Sequence, residues 1–79
     1  MASAIYNDIA AKARTLREAY GGMLSLTQLT RELGLKDQRA AKAWAAEHGI
    51  GNQIGPRVRY DADQIAKALV MGRGMVSYG

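Results

Sequence analysis

Gln38, Arg39 and Lys42 stand one and three positions apart in a stretch otherwise rich in alanine. On a helix, residues three and four apart are neighbours, so the three would share one side. An arginine fork matches the edge of guanine, and a glutamine amide matches adenine. A lysine supplies a point charge for phosphate. Arg57 and Arg59 flank Val58, a spacing that turns both arginines to one face of a strand. Lys36 lies just ahead of the glutamine, Asn52 and Gln53 lie ahead of the arginine pair, and Ser25 and Thr27 open an earlier apolar segment. Hydroxyls and free backbone amides at a helix start can hold a phosphate. Ten residues are thus expected to touch a duplex: Ser25, Thr27, Lys36, Gln38, Arg39, Lys42, Asn52, Gln53, Arg57 and Arg59. The bland alternative is a solvated helix face and a solubilising strand, with Ser25 and Thr27 serving chiefly as caps.

The placement of charge favours the first reading. Lysine and arginine total 11 against 7 acidic residues, a net charge of +4. Between Lys36 and Arg59 there are five basic residues and two acidic ones, so most of the excess sits in that stretch. A basic excess attracts polyanions.

Other chemistries find less support. His48 is the only histidine and cysteine is absent, so neither a structural zinc site nor a disulfide is expected. His48 near a helix end would meet terminal carbonyls or solvent. No motif arranges a nucleophile with it, and no phosphate-cradling glycine loop appears. Asp37, Asp61 and Asp63 fit helix starts, and Glu32 and Glu47 fit exposed helix faces. The expectation is no enzyme, no cofactor and no metal. Trp44 could stack on a base, but Ala40 and Ala41 beneath it assign it to the core.

The elements that must position these residues follow from periodicity. Ile5, Ile9, Ala13, Leu16 and Tyr20 recur at helical spacing over Ser3 to Tyr20, and Gly21-Gly22 ends that run. Met23-Leu24 reads as a very short strand. Ser25 to Gln28 has the form of a capping box, with Leu24 and Leu29 as a hydrophobic staple. Leu26, Leu29 and Leu33 form a buried stripe, and Gly34 ends the helix. A turn of about three residues leads to Asp37, the next N-cap, and a helix from Gln38 to about His48. Its inner face is read as Ala40, Ala41, Trp44 and His48, with a Schellman ending at Gly49-Ile50. Gly51 to Tyr60 reads as a hairpin with Asn52 and Gln53 at its tip, and Arg57 to Tyr60 alternates like a half-buried strand. Asp61 opens a last helix, with Tyr60 and Ile65 as staple and Ile65, Ala66 and Leu69 inward. Gly72-Arg73-Gly74 is expected to break it.

The stretch Leu24-Ser25-Leu26-Thr27-Gln28-Leu29-Thr30-Arg31-Glu32-Leu33-Gly34-Leu35 resembles the opening of excisionase and MerR-like winged helix domains. Trp44 in the second helix, the glycine-rich hairpin ending in Arg59-Tyr60, and Asp61 at the closing helix match that group in order and spacing. The resemblance covers Met23 to Val70. Asp37 stands where the group usually has serine or threonine, and the Gly34-to-Trp44 spacing is about one residue longer. The resemblance implies a small architectural or regulatory protein of a phage or mobile element. Such a protein would bind DNA beside copies of itself and direct an integrase toward excision or repress transcription.

The expected fold is mainly α with a small β-hairpin, a winged helix-turn-helix carrying an extra N-terminal helix. Residues 1–22 would pack on a DNA-binding domain at 23–71, followed by a flexible tail at 72–79. Met1 to Ala11 has neither the basic start nor the apolar run of a secretory leader, and no run is long enough to span a bilayer, so a cytoplasmic, nucleoid-associated protein is expected. Two alternatives remain open: DNA recognition like that of a small terminase subunit, and a protein-interaction adaptor that uses the Ile5, Ile9, Leu16 and Tyr20 stripe.

Overall fold

Local chemistry sets most element boundaries. The computed structural model describes residues 2–76. Within them lie α1 (Ala2–Tyr20), β1 (Met23–Leu24), α2 (Leu26–Glu32), α3 (Gln38–Glu47), β2 (Asn52–Ile54), β3 (Arg57–Asp61) and α4 (Ala62–Val76). The fold is mainly helical, with a small antiparallel sheet in the order β1-β3-β2. Among the described residues, no helix is long and apolar enough to cross a membrane.

The capping box at Ser25 is complete. Its hydroxyl accepts from the Gln28 amide at 3.1 Å, and Gln28 Oε1 accepts from the Ser25 amide at 2.9 Å. At the far end of α2 the Gly34 amide donates to the Arg31 carbonyl (3.1 Å) and the Leu35 amide to that of Thr30 (3.0 Å). Between the C-cap Leu33 and the N-cap Asp37 lie residues 34–36, the expected turn of about three residues, and this Schellman closure occupies its first part. Asp37 caps α3 by accepting from the Arg39 amide at 2.8 Å. The same closure ends α3, with Gly49 to Ala46 at 3.1 Å and Ile50 to Ala45 at 2.9 Å.

β1 ties the hairpin back to the body, since Met23 and Leu24 pair with Asp61 and Tyr60. Gly55, at φ 60, and Pro56 form the two-residue turn between β2 and β3. Glycine at the first turn position followed by proline suits a type II′ hairpin. The core gathers Leu16, Leu24, Leu29 and Ile65, each wholly buried, and is closed by Ala41, Ala45 and Tyr60. Each such leucine or isoleucine contributes about 1.5–3 kcal/mol by leaving water. Leu26, Leu33, Trp44 and Leu69 pack half-buried around them.

Several expectations need correction. Ala40 is exposed and Ala45 takes its place inside, because the buried side of α3 follows Ala41, Trp44 and Ala45. His48 is exposed at the C-cap, its Nδ1 bonded to the Trp44 carbonyl at 2.8 Å. Ile5 begins the α1 stripe but is half exposed; burial is partial at Ile9 and Tyr20 and nearly complete only at Ala13 and Leu16. Glu32 is not on an open face: Lys12 Nζ lies 2.6 Å from its Oε2, and both side chains are largely covered. The tip of the hairpin is Gly55-Pro56 rather than Asn52-Gln53. Finally, α4 runs through Gly72-Arg73-Gly74 to Val76. A glycine inside a helix costs about 1 kcal/mol relative to alanine yet removes no hydrogen bond, and no proline follows to force a stop. The rest of the expected tail, 77–79, lies outside the described residues.

Candidate nucleic-acid interface

α3 presents two unlike sides. Ala41 and Ala45 are buried and Trp44 half-buried, which fixes the helix rotation against the core. That rotation leaves Gln38, Arg39, Lys42, Ala43 and Ala46 exposed. Arg39 and Lys42 are three residues apart and Gln38 and Lys42 four, so the three polar side chains share one side. The small side chains of Ala43 and Ala46 keep the helix surface low beside them.

The start of α3 is held by hydrogen bonds. Gln38 Nε2 donates to Thr27 Oγ1 at 3.0 Å, which links the two helices at their N-terminal ends. One amide N–H and Oε1 of Gln38 remain for another partner. Asp37 Oδ2 lies 3.4 Å from Arg39 Nη2, with the arginine side chain 92% exposed. At that exposure the pair stabilises the fold very little, and the guanidinium is free to turn to another acceptor. Lys36 is exposed in the connection just before them. Ser25 is half-buried and its hydroxyl is engaged in the cap.

The hairpin sorts its residues by register. Asn52 pairs with Arg59, Gln53 with Val58 and Ile54 with Arg57. Cross-strand partners share a face and successive residues alternate. Asn52, Ile54, Arg57 and Arg59 therefore lie on one face, and Gln53 and Val58 on the other with buried Tyr60. The register puts Arg57 and Arg59 on one face, as their spacing implied, brings Asn52 beside them, and sets Gln53 apart, its amide donating to the Gly55 carbonyl at 2.8 Å. Val58 and Ile54 are both exposed, Val58 at 40%, because the hairpin extends past the core that covers Tyr60.

Trp44 lies against the core, with the His48 ring 4.5 Å away and tilted by 38°. Among the described residues no three His, Cys, Asp or Glu side chains gather where they could hold a metal. A shallow groove of about 640 Å³ runs between α1 and α4, lined by Tyr6, Ile9, Ala13, Arg14 and Lys67 among others. Sequence reasoning missed the Thr27–Gln38 link and the place of Ile54 beside the two arginines. A two-residue turn at Gly55-Pro56 would have revealed the second, because it sets Ile54 opposite Arg57. No protein-family model, curated protein or solved structure matches the chain.

Proposed function

We propose that this chain binds double-stranded DNA as a winged helix-turn-helix protein. In this reading α2 and α3 are the helix-turn-helix, and α3 enters the major groove with Gln38 and Arg39 toward base edges and Lys42 toward phosphate. The β2–β3 hairpin is the wing and follows the backbone or minor groove through Asn52, Arg57 and Arg59. Lys36, Thr27 and Ser25 line the phosphate side. One observation carries the reading: Arg39 stands exposed on the side of α3 opposite its alanine–tryptophan packing face, with Lys42 and Gln38 exposed beside it.

The role is binding without catalysis. Resemblance of the Leu24–Leu35 stretch to excisionase-like domains supports an architectural or regulatory task on a mobile element, with copies assembling side by side on DNA and an integrase as partner.

A fluorescence-anisotropy titration with duplexes from the chain's own genomic neighbourhood tests this. Arg39→Ala should weaken the preferred duplex by about 1–3 kcal/mol and relax its sequence preference. Lys42→Ala should weaken all duplexes alike and lower the slope of log affinity against log salt by about one. Binding indifferent to both substitutions would refute the reading.

A further inference from the structure

Ile54 is out of place for a solvated hairpin. It shares a face with Asn52, Arg57 and Arg59, away from buried Tyr60, and half of its surface, 51%, is open to water. The adjoining Gly55 and Pro56 are exposed as well, and Gly55 adds no side chain to the tip. Arg57 stands directly across from Ile54, and Arg59 is the next residue on the same face. The one acid further along that face, Asp61, already accepts from the Gln64 amide at 3.0 Å. The ribbon end is thus narrow and cationic, with an aliphatic side chain set between its polar groups.

A duplex offers a matching surface. Phosphates wall the minor groove, and apolar wedges such as isoleucine or proline are known to enter between base steps from that side. Resting on the DNA-binding reading above, we propose that Ile54 enters the minor groove as a wedge and partly unstacks one base step while Arg57 and Arg59 hold the flanking phosphates. Flexible pyrimidine–purine steps, TA and CA, are the preferred sites because they unstack most readily.

The test uses a pool of short mixed-sequence duplexes carrying a fluorescent adenine analogue at TA steps, read at low salt with full-length protein. Anisotropy reports binding, and the analogue's emission rises on unstacking. Wild type should bind and raise the emission. Ile54→Ser, at a half-exposed position, should bind on the order of fivefold more weakly, as expected for losing half an isoleucine's burial. At saturation it should leave the emission at the level of free DNA. Ile54→Leu should restore both signals. Arg57→Ala should weaken binding yet keep the emission rise at saturation.

Binding by wild type without an emission rise would overturn the wedge and leave DNA binding standing. An equal rise with Ile54→Ser would do the same. No binding by wild type would overturn the DNA reading itself, and the wedge with it. Sedimentation of DNA-free protein gives the last control: a self-associated species lost in Ile54→Ser would reassign the side chain to protein contact and overturn the proposal.

Discussion

Glu32 joins α2 to α1 through two donors, Lys12 Nζ at 2.6 Å and the Tyr20 hydroxyl at 3.2 Å. Burial, and then the neighbouring carboxylate, push the Tyr20 phenol above its ordinary 10.0. In the unfolded chain that phenol loses its proton from about pH 10. Above that pH the unfolded state holds fewer protons than the folded one, so stability falls as pH rises. The contribution is fully present below pH 10 and is lost as pH climbs through the raised value. Tyr20→Phe removes this group. It should lower stability near neutrality by about 1 kcal/mol, through the lost hydroxyl–carboxylate bond. Its midpoint in urea should then decline less steeply than wild type as pH rises above about 10. Parallel declines in the two proteins would show that Tyr20 does not set the alkaline limit.

At the scale of elements, Gly49 is where α3 hands over to the hairpin. It sits at φ 66, and the Ile50 amide beyond it returns to the Ala45 carbonyl, with Ile50 itself buried. An added Cβ would meet nothing within 4 Å, so Gly49→Ala tests backbone strain alone. The left-handed conformation costs a non-glycine residue about 1–2 kcal/mol. For a domain of this size that lowers the melting temperature by about 5 °C or more, measurable by circular dichroism. An unchanged melting temperature would mean the ending is not strained by a side chain. This junction was legible in the sequence, as were the caps at Ser25 and Asp37, because glycine and short polar side chains act on backbone groups a few residues away. The exposed side of α3 was legible for the same local reason, through its 3.6-residue period. What was not legible depends on distant partners. Lys12 reaching Glu32 and Arg17 reaching Asp63 are set by how α1 lies across the body. The Thr27–Gln38 bond depends on the angle between α2 and α3. The continuation of α4 past Gly72 was missed for a local reason, since glycine weakens a helix without removing one of its hydrogen bonds.

For the whole molecule the deciding quantity is how little core there is. Among the described residues, Leu16 of α1 is one of four large side chains that are wholly buried, beside Leu24, Leu29 and Ile65, and Ala13 of α1 lies nearly buried among the same group. A chain of 79 residues has about 4–12 kcal/mol of stability at ordinary per-residue values. Truncating a buried leucine alone costs about 2–5 kcal/mol. Removing α1 exposes the inner face of α4 together with Leu24, so the remainder should fall below the stability threshold. Deletion of residues 1–20 is therefore expected to abolish the cooperative thermal transition and to lower helicity by more than α1's own share, both read by circular dichroism. The exposed first turns, with Ile5 at 50% and Tyr6 at 70%, give the competing adaptor reading its material. That reading makes α1 a separable docking arm and requires the opposite result: a truncated protein that still melts cooperatively while losing its assemblies. The two halves of α1 differ in burial, and the half that carries Leu16 decides whether the rest of the chain can fold.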